Sequence, residues 1–407
     1  MMDTSQPVRS AVRRRPRDRR ATIVRAASEA FARHGYHGTS MSDIAAAVGI
    51  TSTALYRHFR SKQQLLGHCL LNGLDVTVAR LDSAHRGDPS GEAVLTELVR
   101  VALELRGLPR LWQLEFRNLR PTDRMGVLAR AVRLTRYVRI AIRARRPDLA
   151  AVDVELLSWC VLSVAVSPSY HRVELPESLF AEVLDKAVAA TIDVRLPTGV
   201  AAQRRAARAA WVSGDVEFDR GVRPERLIVA AARLFNTRGY AAVSIEDIGA
   251  AVGVSGPALY HHFAGKSELL NQIIDRNDQW IRLYTSRAAT EGNDPHQSLL
   301  LLLSYFARFA VEQPDLMGTT LSEVAHLPQD LAARYRQAHR DGIIRWARML
   351  QTVRPELSLP IARVCIQAVT TVVIDAARNP RLSRRGDIVE ALEAVGAAIA
   401  FSDAARS

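Results

Sequence analysis

The sequence predicts an all-α protein assembled from two similar helical units, and three observations predict it. The stretch SMSDIAAAVGITSTALYRHFRSKQQLL, from Ser40 to Leu66, recurs as SIEDIGAAVGVSGPALYHHFAGKSELL from Ser244 to Leu270 without a gap. The period of about 204 residues is far too long for a solenoid and spans a whole domain. Apolar residues recur at helical spacing along both halves, as in Ile23, Ala27, Ala30 and Phe31. No sustained period-two alternation bounded by turns occurs, so sheet is not expected.

The first 20 residues carry Arg9, Arg13, Arg14, Arg15, Arg17, Arg19 and Arg20 among proline and small polar residues. With almost nothing apolar to bury, this stretch is expected to be a basic arm, disordered when free. It reads either as an arginine arm for a minor groove or as a solvated tail. Arg20 to His34 is the first expected helix, ended by Gly35. Ser40 and Asp43 then have capping-box character, which starts a short helix running through Ile44 and Val48 to Gly49. Thr51 offers the N-cap of a second, Ser52 to Phe59, with Leu55 and Phe59 on one face and Ser52, Thr53, Tyr56 and Arg57 pointing elsewhere. Two short helices around a glycine turn make a helix-turn-helix, whose second helix can enter a DNA major groove.

Ser61 caps a helix from Lys62 that carries Leu65, Leu66, Cys69, Leu70 and Leu74 inward. Further helices are expected over Glu92 to Arg106, Pro109 to Leu119, Thr122 to Arg145, Asp148 to Val166 and Glu177 to Leu196. Thr198 to Arg223 reads as a linker containing an Ala/Arg-rich helix, Ala201 to Trp211. It is long enough to span half-sites roughly 34 to 36 Å apart.

The second half follows the same plan. Pro224 to Arg238 precedes a helix capped by Ser244 and Asp247 and closed at Gly253. Ser255 caps the next, Gly256 to Phe263, where Pro257 is tolerated in the first turn. A helix from Lys266 leads to Pro295 to Val311, Pro314 to His326, Leu331 to Val353, Leu359 to Ala377 and Asp387 to Phe401. The expected domains are therefore an arm (1–20), two heads (21–80 and 224–284), two helical regulatory domains (81–197 and 285–407) and the linker (198–223).

The net charge of +13 favours a polyanionic partner, and the excess lies mainly in the first half. Cys69, Cys160 and Cys365 show no CxxC or metal-like spacing and read as reduced core thiols, which suits a cytoplasmic protein. No uncharged apolar run of about 18 residues suggests a membrane span, and no apolar signal region follows the basic start. No Walker loop, HExxH or GxSxG is present, so neither an enzyme nor a cofactor is expected. Adjacent His261 and His262, diverging on a helix, make a poor metal pair, and no metal is expected.

Both heads carry FxxxGY, then S-x-x-D-I-x-x-x-V-G, A-L-Y-x-H-F and K-x-x-L-L. The matching residues are Phe31, Gly35, Tyr36, Leu55, Tyr56, His58, Phe59, Lys62 and Leu66. In the second copy they are Phe235, Gly239, Tyr240, Leu259, Tyr260, His262, Phe263, Lys266 and Leu270. In both copies this resembles the DNA-binding domain of the TetR family of bacterial repressors, while the rest of each half resembles the family only in helical layout. The resemblance implies double-stranded operator DNA as partner, with Ser42, Ser52, Thr53 and Arg57 at base edges and Tyr56, His58 and Lys62 at phosphates. Packing and capping of their own helix is the alternative for Tyr56 and His58. The equivalents are Glu246, Gly256, Pro257 and His261 for bases and Tyr260, His262 and Lys266 for phosphates. Because Gly256 has no side chain and phosphates repel Glu246, the second copy either reads a weaker half-site or has a structural role.

Family members dimerise through their last two helices on palindromes. The resemblance thus implies an intrachain pseudo-dimer of Asp148 to Val166 with Glu177 to Leu196 and Leu359 to Ala377 with Asp387 to Phe401; a further homodimer is left open. It also implies a small apolar effector among the middle helices that releases a repressor from its operator. Trp112, Phe116, Tyr137 and Trp159 in the first half and Met317, Leu321, Tyr335 and Trp346 in the second are the candidate lining, with plain core as the alternative. The rival to a DNA-binding regulator is a sensing or protein-interaction scaffold that no longer binds DNA.

Overall fold

The computed structural model describes residues 16–197 and 223–402, and among these it is helical with no strand. The first half forms α1 (Pro16–His34), α2 (Met41–Ala47), α3 (Ser52–His58), α4 (Lys62–Gly87), α5 (Glu92–Glu104), α6 (Gly107–Glu115), α7 (Pro121–Arg145), α8 (Ala151–Val166) and α9 (Glu177–Asp193). The second forms α10 (Arg223–Arg238), α11 (Ile245–Val252), α12 (Gly256–Leu259), α13 (Lys266–Glu291), α14 (Pro295–Glu312), α15 (Pro314–Glu323), α16 (Gln329–Val353), α17 (Leu359–Ala377) and α18 (Ile388–Ala400). Single 3-10 turns, Phe116–Asn118 and Val324–His326, follow α6 and α15.

The chain divides into two compact units, and the division does not fall at the linker. Among the described residues one unit holds 16–76 with 107–131; the other holds 77–106 with 132–197 and 223–402. In the first, α1 to α3 wrap Ile23, Phe31, Ile44, Leu55 and Phe59 against Leu65 and Leu66 of α4, all nearly inaccessible. Each such side chain contributes about 1.5–3 kcal/mol on burial. In the second unit α8 and α9 pack on α17 and α18, which makes one body of 77–106, 132–197 and the second half. Ser163 on α8 donates to Asp375 on α17 at 3.0 Å, and Arg385 reaches Asp153 at 2.8 Å. Ala151–Tyr170 and Leu359–Ala377 are long and apolar enough by composition to cross a bilayer, but 61% and 72% of their apolar windows are buried inside the protein. Their apolarity is that of core helices. Cys160 lies on α8, Cys365 on α17 and Cys69 on α4; all three are buried free thiols, and burial pushes them up to about 12, 11 and 12 respectively.

Several expectations need correcting. Helix α1 starts at Pro16, so Arg17, Arg19 and Arg20 are helical and not part of an extended arm. Proline suits a first helical turn. Arg20 is also held, donating to His68 Nε2 at 3.1 Å with its guanidinium 4.7 Å over the Phe59 ring. Arg9, Arg13, Arg14 and Arg15, and the expected linker helix Ala201 to Trp211, lie outside the described residues. Helix α5 stops before Arg106, whose guanidinium turns back to the Pro168 carbonyl at 3.1 Å. The largest departure is α12. Its single turn ends at Leu259 where a helix to Phe263 was expected, and Tyr260, His261 and His262 form a turn. Glycine and proline take two of its four positions and are the weakest helix formers. The backbone then tightens, with the N–H groups of His262 and Phe263 both donating to the Leu259 carbonyl.

Candidate nucleic-acid interface and its ties to the helical cores

In each head the short helices are fixed by the same local devices. Ser40 Oγ accepts from the Asp43 N–H at 3.1 Å while the Asp43 carboxylate accepts from the Ser40 N–H at 3.0 Å. Ser244 and Asp247 repeat this at 3.0 and 2.9 Å. Those hydrogen bonds hold both aspartates below the usual carboxylate range. Gly49 and Gly253 close the first short helix at φ of 66° and 75°, a left-handed conformation that favours glycine. Thr51 Oγ1 then caps α3 by accepting from the Ala54 N–H at 3.2 Å.

On α3 the inward side is Leu55, fully buried, and the outward side is Thr53, Tyr56 and Arg57. Tyr56 is 49% exposed, so its ring and hydroxyl stand clear of the helix that carries it. Ser52 and His58 are half-buried, and Ser42 on α2 is exposed with its hydroxyl 2.7 Å from Ser40 Oγ. In the second head Glu246, Pro257, His261 and His262 are exposed and Tyr260 is 58% exposed. Gly256 is buried: a Cβ there would sit 3.3 Å from Glu246 Cγ, so it is a packing position under the Glu246 side chain, not a reader.

Lys62 and Lys266 also depart from expectation. Lys62 Nζ donates to the carbonyls of Tyr36 at 2.8 Å and Thr39 at 2.9 Å and lies 4.3 Å over the Tyr36 ring. Lys266 Nζ does the same to Tyr240 and Val243, both at 2.9 Å, over the Tyr240 ring at 4.3 Å. An ammonium has three donors. Two are spent on closing the turn after the first helix of each head, which makes these lysines clamps before they are phosphate ligands. Burial lowers Lys266 from its ordinary value.

Two residues absent from the sequence reading connect the heads to the cores. Glu115, at the end of α6, is almost fully buried and accepts the Tyr36 N–H at 2.8 Å. Glu323, at the end of α15, is fully buried and accepts the Tyr240 N–H at 3.2 Å. Asn118 donates to the other oxygen of Glu115 at 2.7 Å, and in its place His326 lies 3.4 Å from Glu323 and stacks on the Tyr240 ring. The available signal was E-x-x-[NH]-L, which reads EFRNL and EVAHL. Helix α15 is further bound to α10, since Thr319 donates to the Ala232 carbonyl at 2.8 Å and Asn236 to Asp315 at 2.9 Å.

The second regulatory segment contains a cavity of about 240 Å³ lined from α13 to α17. Met317, Leu321, Tyr335 and Trp346 all line it. The first-half set is not gathered in the same way. Trp112 rests against Phe116 with ring centroids 6.4 Å apart, the Tyr137 hydroxyl donates to Asp82 at 2.6 Å, and Trp159 is 37% exposed on α8. Among the described residues no cluster of three or more metal-ligating side chains occurs.

Two capped short helices per head, the second of each pair placed at the surface, define a helix-turn-helix protein carrying that unit in duplicate. Residues 23–69 and 227–273 each match the model of the bacterial regulatory proteins of the tetR family, so the chain carries two tetR-type units in tandem. It is 40% identical over 90 residues to the HTH-type transcriptional activator FasR of Mycolicibacterium smegmatis, covering 22% of this chain and 41% of that protein. It is 34% identical over 87 residues to the HTH-type transcriptional regulator RutR of Escherichia coli, covering 21% and 41%. The chain thus spans about two fifths of the length of these relatives. A solved TetR-family regulator from Bordetella parapertussis is similar with a TM-score of 0.41 at 20% identity, covering 44% of this chain and 93% of its own.

Proposed function

We propose that the chain is a sequence-specific DNA-binding transcription regulator, a repressor released from its operator by a small apolar effector. The observation that carries this is the outward row Thr53, Tyr56 and Arg57 on a helix capped by Thr51 and anchored at its centre by buried Leu55. Arginine can pair bidentately with guanine, while a tyrosine hydroxyl and an imidazole suit phosphate oxygens. Ser42 and Ser52 flank the row, and His58 stands beside it. In the second head the corresponding groups are Tyr260, His261 and His262.

The two heads act as a covalent pseudo-dimer on an imperfect palindrome. The packing of α8 and α9 on α17 and α18 supports this, since a contact made within one chain raises the effective concentration of the second reader. An effector in the α13 to α17 cavity acts by binding one arrangement of α13 and α15 better than another. Footprinting on the chain's upstream DNA at stated salt tests the reading, comparing Arg57→Ala with His261→Ala. Each substitution should relax a different half of the footprint. An unchanged footprint with Arg57→Ala overturns the proposal.

The one-turn α12, buried Gly256 and exposed Glu246 favour a second reading of that head alone. It then grips the strands through Tyr260 and His262 and reads few bases. In that case His261→Ala weakens binding evenly across sequences.

A further inference from the structure

The polar groups around the 240 Å³ cavity are not all paired. Some are satisfied within the protein. The Trp346 indole donates to Thr285 Oγ1 at 3.0 Å, that hydroxyl donates to the Ile281 carbonyl at 2.7 Å, and Arg282 Nε pairs with Asp278 at 2.8 Å. Tyr335 and His339 also line the cavity, and Asn277 Oδ1 on α13 and Thr320 Oγ1 on α15 are both buried and without a protein partner. Their residues are 2% and 4% exposed, and both line the cavity. Buried polar atoms in native proteins are nearly always paired.

We propose that this cavity takes an uncharged, mainly apolar alcohol or phenol whose hydroxyl serves Asn277 and Thr320 together. The inference rests on reading the cavity as the effector site. A hydroxyl is both donor and acceptor, so it can meet an amide and a second hydroxyl at once, whichever way the amide is turned. A hydrocarbon leaves both groups unpaired. A carboxylate, which only accepts, meets Asn277 in one orientation of the amide alone, and it adds a charge where Asp278 and Arg282 already neutralise each other. Ile281, Phe306, Met317 and Ile343 supply the apolar wall. An apolar cavity of about 150 Å³ accepts benzene, so this one suits a molecule of roughly ten non-hydrogen atoms. Thr320 is next to Thr319, which holds the Ala232 carbonyl, so occupancy bears on the helix tied to the second head.

The test titrates the full chain by calorimetry with 2-naphthol, naphthalene and 2-naphthoate. 2-Naphthol is expected to bind about tenfold tighter than either analogue, and Thr320→Val and Asn277→Leu should each weaken it about tenfold while leaving naphthalene unchanged. The proposal is overturned if naphthalene or 2-naphthoate binds as tightly, if 2-naphthol does not bind, or if Thr320→Val has no effect. The isosteric valine keeps the test decisive should Asn277→Leu fail to fold. Duplex binding on the same preparation separates the two readings. Lost 2-naphthol specificity with intact DNA binding sinks only this inference, whereas intact specificity without DNA binding sinks only the regulator.

Discussion

The backbone N–H of Tyr240 donates to the fully buried carboxylate of Glu323 across 3.2 Å, joining the turn after α10 to the last residue of α15. Thr320, three residues earlier on the same helix, faces the cavity. One short helix therefore carries both a cavity wall and the tie to the second head.

Replacing Glu323 by alanine strands a backbone donor and is expected to destabilise the second head by about 1–3 kcal/mol. Glu323→Gln keeps an acceptor oxygen and should lose much less. Amide hydrogen exchange at Tyr240 checks this, since exchange should quicken in the alanine variant and stay near wild type in the glutamine one. Equal rates in both would remove the tie.

Lys62 separates a clamp from a phosphate ligand. Lys62→Met should lower the melting temperature of the first head while changing the salt dependence of duplex binding little. Loss of one phosphate contact would instead reduce the slope of log K against log salt by about 0.9. Tyr56→Phe and Arg57→Ala should behave oppositely, weakening DNA binding without a change in melting. A Lys62→Met variant that melts normally but shows the smaller slope would restore the phosphate role.

Asp375 gives a pH dependence with a definite sign. Burial pushes its carboxyl up to about 6, against hydrogen bonding from Ser163 and the charge of Arg378. Below the ordinary value of 3.8 it is protonated both folded and unfolded. As pH rises towards 6 the unfolded chain ionises first, so this group makes the folded state progressively less stable, and the deficit persists above 6. The side chain is only part-buried, so the effect is on the order of 1–2 kcal/mol. Asp375→Asn should thus raise the melting temperature at pH 7.5 and leave it nearly unchanged near pH 4. Equal shifts at both pH values would show that the carboxylate is better solvated than its position implies.

The contrast between what the sequence revealed and what it hid follows from the range of the interactions. Ser40 with Asp43, Thr51 with Ala54 and the left-handed glycines act within a few residues, so their pattern is written locally and twice. The repeat and the helical periodicity gave the all-α layout for the same reason. Glu115 and Glu323 are marked only by the short E-x-x-[NH]-L pattern, which does not name a backbone N–H some 80 positions away as the partner. The carbonyl contacts of Lys62 and Lys266 are not legible in sequence, because a basic residue beside a reading helix looks the same whether it faces carbonyls or phosphates. The shortening of α12 was legible in Gly256 and Pro257, but the repeat outweighed propensity in the reading. The second-half cavity residues converged while the first-half set did not, since aromatic residues at helical spacing mark an inward face without marking a void.

The difference between the heads can be engineered, and the packing says how. Gly256 lies under Glu246, so a serine introduced at 256 alone would press its Cβ against Glu246 Cγ at 3.3 Å. The first head has Ser42 where the second has Glu246, and Ser52, Thr53 and Arg57 where it has Gly256, Pro257 and His261. Glu246→Ser clears the space, Gly256→Ser and Pro257→Thr replace the two weakest helix formers, and His261→Arg restores a bidentate donor. The fourfold variant should bind a duplex carrying two copies of the first head's half-site about tenfold or more tighter than the native chain, as a single good base contact is worth about 1–3 kcal/mol. Gly256→Ser alone, with Glu246 still in place, should gain no affinity. Fluorescence anisotropy on that duplex at fixed salt decides the outcome. If the fourfold variant folds as well as the native chain yet binds no tighter, base reading does not reside at these positions.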